Sequence, residues 1–404
     1  MNKIRTISKT IKKASKSFKA VLICGMRQVG KTTVLKNACE KDRAYVTLDN
    51  PKDLLMAKNE PQFFFETYKT PVFIDEIQYA SEIFPYIKMI TDDRSEKGLF
   101  WMSGSQQFGL MQNVTETLAG RLAIFDMLGF SIYEREGLGD QQEPFLPIQN
   151  VQPKLAKKDL QETFRTIWLG SYPEIAVMDD ESAWQAFYGS YIRTYLERDV
   201  RQLITIGDNL TFLKFLKVVA ARTAQELNIA DIARNVDIAP NTVKNWLSIL
   251  EASGVIYLLQ PYYNNVLKRA IKKPKLYFTD TGLCAYLSEW NTPKTLEAGA
   301  MSGAFFETFV VTEILKSYYH NGINPSLYYY RDNASVEVDL LIGADGVLYP
   351  VEIKKTSNPD KDMVRNFKAL KRLKQNIGYG SLICLTDRAR PLDENANAVS
   401  VWEI

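Results

Sequence analysis

The residues best suited to chemistry form a glycine-bounded loop near the start of the chain. Residues Gly25 to Thr32 read Gly-Met-Arg-Gln-Val-Gly-Lys-Thr and match the phosphate-loop pattern G-x-x-x-x-G-K-[ST]. The loop follows an apolar strand-like run and precedes a helical pattern, so its backbone N–H groups and a helix N-terminus can bind phosphate. This pattern predicts an ATP site formed by Gly25, Gln28, Gly30, Lys31, Thr32 and Thr33.

Two side chains of the loop and two later carboxylates have the chemistry that nucleotide hydrolysis needs. Lys31 can bridge the β- and γ-phosphates, and the Thr32 hydroxyl is placed to ligate Mg²⁺. The apolar run that begins at Pro71 ends in Asp75 and Glu76, of which Asp75 can hold the magnesium shell and Glu76 can polarise the attacking water. We therefore expect ATP and Mg²⁺ as cofactors, Thr32 and Asp75 as metal ligands, and Lys31 and Glu76 as catalytic residues.

Further catalytic candidates follow the next apolar run. Ser105 or Gln106, at the end of that run, can report on the γ-phosphate and position the water, although a turn rich in Ser and Gly is the alternative. Arg121, and farther on Arg198 or Arg201, could stabilise charge on the transferred phosphoryl group. A surface salt bridge is the alternative role for each arginine.

The composition excludes several other kinds of site. His320 is the only histidine among the 404 residues, so histidine-dependent triads and multi-histidine metal sites are excluded. The four cysteines show no Cys-x-x-Cys pair and no zinc spacing, which indicates buried thiols in a reducing compartment. Catalysis must then depend on carboxylates, lysines and arginines.

The chain has the features of a folded cytoplasmic protein. Its N-terminus is basic and has no apolar h-region, and no segment reaches the roughly 18 apolar residues of a membrane span. We therefore expect a cytoplasmic location and no membrane partner. The net charge of +3 is too small to indicate a nucleic-acid partner without clustering of the basic residues.

The alternation of short apolar runs with helical patterns between about residues 20 and 130 predicts an α/β fold with parallel strands. A polar, proline-containing stretch over 137–158 indicates a linker, and helical periodicity dominates 160–221. The predicted strands are Ala20 to Cys24, Ala44 to Leu48, Pro71 to Ile74, Leu99 to Met102 and Ala123 to Leu128.

The stretch 226–278 has a winged-helix pattern: two helices and then paired strands. Pro240 starts the second helix, which continues from Asn241 to Ser253, and its N-terminal half can reach bases or phosphates. The loop between the strands is basic and suits a nucleic-acid backbone. A module that only packs against protein neighbours is the alternative. The polar candidates are Asn241, Thr242, Lys244, Asn245, Lys268, Arg269, Lys272, Lys273 and Lys275.

A second group of carboxylates lies in the C-terminal part. Asp339 precedes Glu352 at a hairpin distance, and Glu352 and Lys354 share one strand face because side chains alternate along a strand. Two carboxylates would bind a second Mg²⁺, Lys354 would activate hydroxide, and Glu307 could be a further ligand.

The motifs together resemble the AAA+ type P-loop ATPases of bacteria and archaea that carry a C-terminal domain of unknown function. The resemblance implies ATP binding, a sheet with the sensor strand between the P-loop strand and the Asp75 strand, and usually a terminal nuclease-like fold. Met26 departs from the family, where proline is more usual. The matching motifs are Gly25-Met-Arg-Gln-Val-Gly-Lys-Thr-Thr33, Ile74-Asp-Glu-Ile-Gln78, Ser103-Gly-Ser-Gln106, Leu118-Ala-Gly-Arg121 and Tyr195-Leu-Glu-Arg-Asp199.

The pattern of Asp339, Glu352 and Lys354 resembles the PD-(D/E)XK nuclease superfamily. An active nuclease, an inactive nuclease-like fold and a chance spacing all fit it. The expected domains are a P-loop ATPase domain at 1–136, a linker and helical segment at 137–215, a winged-helix domain at 216–290 and a nuclease-like α/β domain at 291–404.

The order of these modules favours an ATP-hydrolysing ATPase that associates with DNA through its C-terminal half. The alternative is an ATP-dependent regulatory switch that contacts a protein partner through the same half and has an inactive nuclease-like fold. An oligomer is compatible with both hypotheses.

Overall fold

The computed structural model describes most of the chain. No helix in the described part is long and apolar enough to cross a bilayer. The described residues are 3–105, 118–152, 154–178, 180–196, 209–263, 273–332, 334 and 336–404, with the side chains of 195, 196 and 209 left out.

The N-terminal part contains a parallel five-stranded sheet in the order β2-β3-β4-β1-β5. The central strands β1, β3 and β4 are buried at every position, as expected for strands covered on both faces. The strands are β1 (Ala20–Cys24), β2 (Ala44–Thr47), β3 (Val72–Asp75), β4 (Phe100–Gly104) and β5 (Leu122–Asp126).

Short helices connect and cover these strands. The helix α1 precedes the sheet and buries Ile7 and Ile11 against it, while its lysines face outward. The helices are α1 (Ile7–Ser15), α2 (Lys31–Ala38), α3 (Pro51–Asn59), α4 (Pro61–Thr67), α5 (Phe84–Asp93) and α6 (Ile132–Arg135), with 3₁₀ turns at Ile77–Tyr79, Ser81–Ile83 and Gly139–Gln141.

All five predicted strands are confirmed to within a few residues, and β1 has the predicted bounds. The sheet is the α/β arrangement of P-loop ATPases that the sequence predicts. The strand order also agrees with the family resemblance, because β4 pairs with both β1 and β3. The carboxyl ends of β1 and β3 therefore lie at the same edge of the sheet.

The predicted linker is irregular, and a helical segment follows it. Residues 142–159 contain neither helix nor strand wherever the structure describes them. The helices beyond are α7 (Leu160–Leu169), α8 (Pro173–Met178), α9 (Glu181–Tyr191), a π-helical turn (Ile192–Leu196), α10 (Asn209–Ala220), α11 (Ile229–Val236) and α12 (Pro240–Ala252).

A second sheet joins the strands after α12 to those of the C-terminal part. Its order is β14-β15-β13-β11-β10-β9-β7-β8-β6, and β12 pairs with β11. The antiparallel pair β7 and β8 forms the hairpin predicted at 255–278, and β7 continues the sheet by pairing in parallel with β9. The predicted boundary near residue 290 therefore falls within a region that shares one sheet; its position stays a prediction.

The strands of this sheet are β6 (Gln225–Glu226), β7 (Ile256–Pro261), β8 (Lys275–Phe278), β9 (Ser326–Arg331), β10 (Glu337–Ala344), β11 (Val347–Ile353), β12 (Asn376–Ile377), β13 (Gly380–Cys384), β14 (Arg390–Asp393) and β15 (Ala396–Ser400). The remaining helices are α13 (Thr281–Leu287), α14 (Pro293–Ala298) and α15 (Ser302–Tyr319), with 3₁₀ helices at Lys361–Leu373 and Val401–Glu403.

The buried helix α15 runs through the interior and joins the two halves. It is apolar on nearly all sides, as a helix covered all round must be. One buried apolar cluster extends from α1 and the phosphate loop to the C-terminal sheet, and it includes Ile7, Val29, Val310 and Ile342. The halves of the chain are therefore packed as one body around α15.

Candidate functional site

The loop between β1 and α2 has a backbone that needs glycine at both ends. A Cβ at Gly25 would lie 2.1 Å from the Met127 carbonyl oxygen, so no side chain fits there. Gly30 has a φ of 91° and caps the N-terminus of α2, a left-handed position that favours glycine. The N-terminus of α2 and the closely packed backbone of the loop therefore lie side by side. Such an arrangement binds phosphate.

Lys31 lies at the first position of α2 and is almost fully buried. Its Nζ donates hydrogen bonds to the carbonyl oxygens of Gly25 and Met26, each at 2.9 Å. Burial lowers the pKa of Lys31, and the nearby charge of Glu76 partly offsets this effect. The ammonium group is thus held across the loop, while Gln28 and Thr33 are exposed at its rim.

Asp75, at the end of β3, accepts hydrogen bonds from three hydroxyl groups. Thr32 Oγ1 lies 2.9 Å from one carboxylate oxygen and 3.0 Å from the other. Ser103 donates to the first oxygen, and the Tyr45 hydroxyl lies 3.3 Å from the second. A carboxylate beside a threonine hydroxyl at the phosphate loop is the donor set that Mg²⁺ with ATP takes.

Glu76 follows the strand in a left-handed conformation with φ of 57°. The turn directs the chain away from the sheet, and the Glu76 carboxylate accepts a hydrogen bond from the Gln78 side-chain amide. Gln78 belongs to a predicted motif but has no predicted role. Its position next to the candidate base indicates that it orients the Glu76 carboxylate.

The residues predicted to contact the γ-phosphate, Ser105 or Gln106, follow β4. Ser105 Oγ is buried and has no hydrogen-bond partner among the described residues, so it is available to a ligand. Ser103, which the sequence analysis did not select, contacts Asp75 because its strand neighbours β3. Gln106 lies outside the described residues.

The structure does not bring Arg121 to the phosphate loop. Arg121 precedes β5 at the amino end of the strands, where Leu122 pairs with Ala20. The five residues of β1, at about 3.3 Å each, put roughly 16 Å between this end and the loop. Arg121 instead forms an ion pair with Asp92. The predicted catalytic role of Arg121 at its own phosphate loop is therefore wrong. Arg198 and Arg201 lie outside the described residues.

The C-terminal carboxylates form a compact ionic cluster on β10 and β11. Lys354 Nζ lies 3.2 Å from Asp339 and 2.7 Å from Glu352. Burial, followed by the charge of Asp339, raises the pKa of Glu352 to about 8. The second carboxylate oxygen of Glu352 is buried and has no partner among the described residues. Asp339, Glu352 and Lys354 are thus brought together as predicted.

Glu307 does not complete a metal site with this cluster. The Lys275 ammonium contacts Glu307 at 3.1 Å and Glu337 at 2.6 Å, and the Tyr277 hydroxyl donates to Glu307. In the described ranges, no group of three or more His, Cys, Asp or Glu side chains is placed to hold a metal ion. Glu307 is thus held by Lys275 and Tyr277, and its role as a further magnesium ligand stays a prediction.

The exposed face of α12 carries the predicted polar residues. Asn241, Lys244 and Asn245 are exposed and Thr242 is half-buried, whereas Val243 and Trp246 are buried and fix the helix against its neighbours. Lys273 is also exposed.

The structure describes two of the five predicted basic residues at 268–275, Lys273 and Lys275. Lys275 is only 4% exposed and ion-paired, so its predicted place on the basic loop is wrong. Lys268, Arg269 and Lys272 lie outside the described residues.

Comparisons with known proteins agree with this description of the phosphate loop. Residues 17–136 match an AAA domain. Residues 160–294 match a family described as Domain of unknown function (DUF8612), and residues 302–404 match Domain of unknown function (DUF4143). The AAA-domain match and the parallel sheet support a P-loop ATPase-like domain at 17–136.

The sequence relatives add no assigned activity. An uncharacterised protein of Mycobacterium tuberculosis is 28% identical over 361 residues, covering 88% of this chain and 74% of the relative. An uncharacterised protein of Methanocaldococcus jannaschii is 24% identical over 380 residues, covering 88% and 80%.

Two solved structures are similar only in part. A Walker-type ATPase of Pyrococcus abyssi has a TM-score of 0.44 at 12% identity, covering 70% of this chain and 94% of that one. RuvB of Thermotoga maritima has a TM-score of 0.32 at 12% identity, covering 62% and 88%. Neither superposition establishes a shared function.

Proposed function

We propose that this chain binds ATP with Mg²⁺ at residues 25–33 and hydrolyses it. The observation that carries the proposal is the contact of Thr32 with Asp75 directly beneath a glycine-bounded loop. Lys31 supplies a buried ammonium at the same place. Main-chain N–H groups of the loop hold the phosphates, and Lys31 offsets their charge.

The two carboxylates, Asp75 and Glu76, have different roles in hydrolysis. Thr32 and Asp75 would hold Mg²⁺, which, when bound with ATP, neutralises charge on the phosphate oxygens. Glu76 accepts a proton from the attacking water, and Gln78 orients its carboxylate. The unpartnered Ser105 hydroxyl faces this edge of the sheet as a further polar contact for the γ-phosphate.

We further propose that the chain associates with DNA through α12 and the hairpin that follows it. The helix α11, the helix α12 and the pair β7 and β8 occur in the order of a winged helix. Asn241, Lys244 and Asn245 project from the N-terminal half of α12, where side chains reach bases or phosphates.

DNA-stimulated ATP hydrolysis tests this association. In the full chain, duplex DNA should raise the rate of phosphate release, and the stimulation should decrease steeply with salt concentration because phosphate contacts release counterions. Lys244→Glu should abolish the stimulation and leave the basal rate unchanged. Lys294→Glu, at the solvent-facing start of α14, is the matched control and should respond like the parental chain. If neither duplex DNA nor Lys244→Glu changes the rate of phosphate release, the proposed DNA association is rejected. The ATPase proposal is unaffected by that result.

A regulatory switch with an inactive nuclease-like fold is the second candidate. The specific observation in its favour is that lysines contact these carboxyl groups: Lys354 contacts Asp339 and Glu352, and Lys275 contacts Glu307 and Glu337. Both lysines occupy carboxylate oxygens that a cation would need. Magnesium-dependent cleavage of a plasmid that disappears in Lys354→Ala would contradict this second candidate.

The raised pKa of Glu352 predicts a pH dependence of stability. The folded state holds a proton on Glu352 up to about pH 8, whereas the ordinary value is 4.5. The stabilisation is therefore complete below pH 4.5 and is lost as the pH rises through about 8, by up to about 5 kcal/mol. We expect Glu352→Gln to unfold at a higher temperature than the parental chain at pH 8.5, with a smaller difference at pH 5. Equal differences at the two pH values would contradict the pKa assignment.

A further inference from the structure

The helix α15 extends between the two candidate sites. Near its N-terminus, Glu307 contacts Lys275 and Tyr277 beside the C-terminal carboxylates. At its C-terminus, the capping residue His320 is fully buried against the nucleotide-binding part. At about 1.5 Å per residue, roughly 20 Å of helix separates Glu307 from His320.

Arg5 connects the phosphate loop to the segment that follows β5. Its Nη1 donates to the Val29 carbonyl at 2.8 Å, and its Nη2 donates to the Leu128 carbonyl at 2.8 Å. Its Nε forms an ion pair with Glu134 at 3.0 Å. Since Val29 directly precedes Gly30, the guanidinium group holds the loop backbone next to the start of α2. Arg5 is only 6% exposed, so water does not compete for these contacts.

Glu134 is the buried centre of this connection. One carboxylate oxygen contacts Arg5 and accepts the Thr6 N–H at 2.8 Å, and the other accepts the Ser131 N–H at 3.1 Å. Burial disfavours ionisation, but the charge of Arg5, together with the contacts of His320 and the Ser131 N–H, outweighs it and holds the pKa of Glu134 below its ordinary value. The carboxylate is therefore a fixed negative charge between the loop and α15.

His320 links Glu134 to α15. Its Nε2 accepts the Leu128 N–H at 3.2 Å, so the proton of the neutral ring is on Nδ1. Nδ1 lies 3.3 Å from the Glu134 carboxylate, a contact that is electrostatic rather than a well-directed hydrogen bond. Arg5 and His320 thus contact the two backbone groups of one residue, Leu128.

Two further residues of α15 hold the same segment. Glu313 accepts the Ile132 N–H at 2.8 Å, and Lys316 donates to the Phe130 carbonyl at 3.0 Å. The segment from Leu128 to Ile132 is therefore fixed to α15 on one side and, through Arg5, to the phosphate loop on the other. A displacement of the Val29 carbonyl has a continuous path of polar contacts into α15.

We propose that Arg5 and His320 are positioning residues that couple nucleotide binding at the loop to the stability of α15. This inference rests on the proposed ATP site. When phosphate enters, Lys31 exchanges the carbonyls of Gly25 and Met26 for phosphate oxygens, and the loop backbone changes its contacts. Arg5 transmits that change to Glu134 and Leu128, and His320 transmits it to α15.

Hydrogen exchange of the full chain tests this coupling. The amide exchange of residues 302–320 is measured with and without a non-hydrolysable ATP analogue and Mg²⁺, while titration calorimetry measures binding. In the parental chain the nucleotide should slow this exchange on the order of 5-fold or more. Arg5→Lys keeps the charge beside Glu134 but cannot reach both carbonyl oxygens. His320→Gln keeps an acceptor for Leu128 but removes the ring N–H. Each variant should bind nucleotide and lose the nucleotide-dependent change.

Ser381→Ala is the matched control, because it removes a buried hydrogen bond to Asn397 far from this path. It should keep the nucleotide-dependent slowing even if its overall stability decreases. Slowing that persists in both Arg5→Lys and His320→Gln would refute the coupling. Nucleotide binding without any change in the parental exchange would also refute it. A parental chain that binds no nucleotide would refute the proposed ATP site, so the two failures are distinguishable.

Discussion

Lys31→Ala should reduce ATP hydrolysis by on the order of 10²–10³-fold, because it removes the buried ammonium of the proposed phosphate-binding loop. ATP affinity should decrease as well, since the loop amides alone would then have to offset the phosphate charge. The measurements are phosphate release at saturating ATP and calorimetric titration of ATP in the presence of Mg²⁺.

Arg121→Ala is the matched control for this prediction. It also removes one cation from the N-terminal part, but that cation lies at the opposite end of the strands in an exposed ion pair with Asp92. Exposed pairs contribute little to stability, so both the affinity and the rate should remain near the parental values. If Arg121→Ala lost as much activity as Lys31→Ala, the assignment of the site to this edge of the sheet would be wrong.

Glu76→Gln should separate ATP binding from ATP hydrolysis. The amide keeps the shape of the side chain but cannot accept the water proton, so the rate should decrease by about 10²–10⁴-fold while ATP stays bound. Nucleotide extracted from the purified variant should be mainly ATP, whereas the parental chain should retain mainly ADP. Hydrolysis at the parental rate would exclude Glu76 as the base.

The phosphate loop and its sheet could be predicted from sequence because their signals are local. The strand β1, the glycines of the loop and the start of α2 lie within one continuous segment, and Asp75 follows a short apolar run. The Thr32 to Asp75 contact then follows from parallel strands whose carboxyl ends meet at one edge.

The contacts between distant segments could not be predicted in this way. Ser103 reaches Asp75 only because β4 neighbours β3, and Arg5 reaches Val29 only because the segment before α1 folds back over the loop. Arg121 shows the converse: its motif predicts a role at the site, but Arg121 directly precedes β5, and the direction of that strand puts it at the far end of the sheet. Pairing and direction of strands are properties of the whole fold.

Burial explains the other differences between prediction and structure. The sequence around Lys275 has the composition of a basic surface loop. In the structure, Lys275 is the first residue of β8, and the Lys275 side chain is buried against Glu307 and Glu337. The strand β8 is buried at all four positions, and the sequence does not mark where it begins.

The most direct test of the ATP site is a crystal structure of Glu76→Gln with ATP and Mg²⁺. We predict that the triphosphate lies against the backbone N–H groups of residues 25–32, that Lys31 Nζ has left the carbonyls of Gly25 and Met26 for phosphate oxygens, and that Thr32 and Asp75 face the metal. A triphosphate bound elsewhere, with Lys31 still on those two carbonyls, would contradict the proposed function.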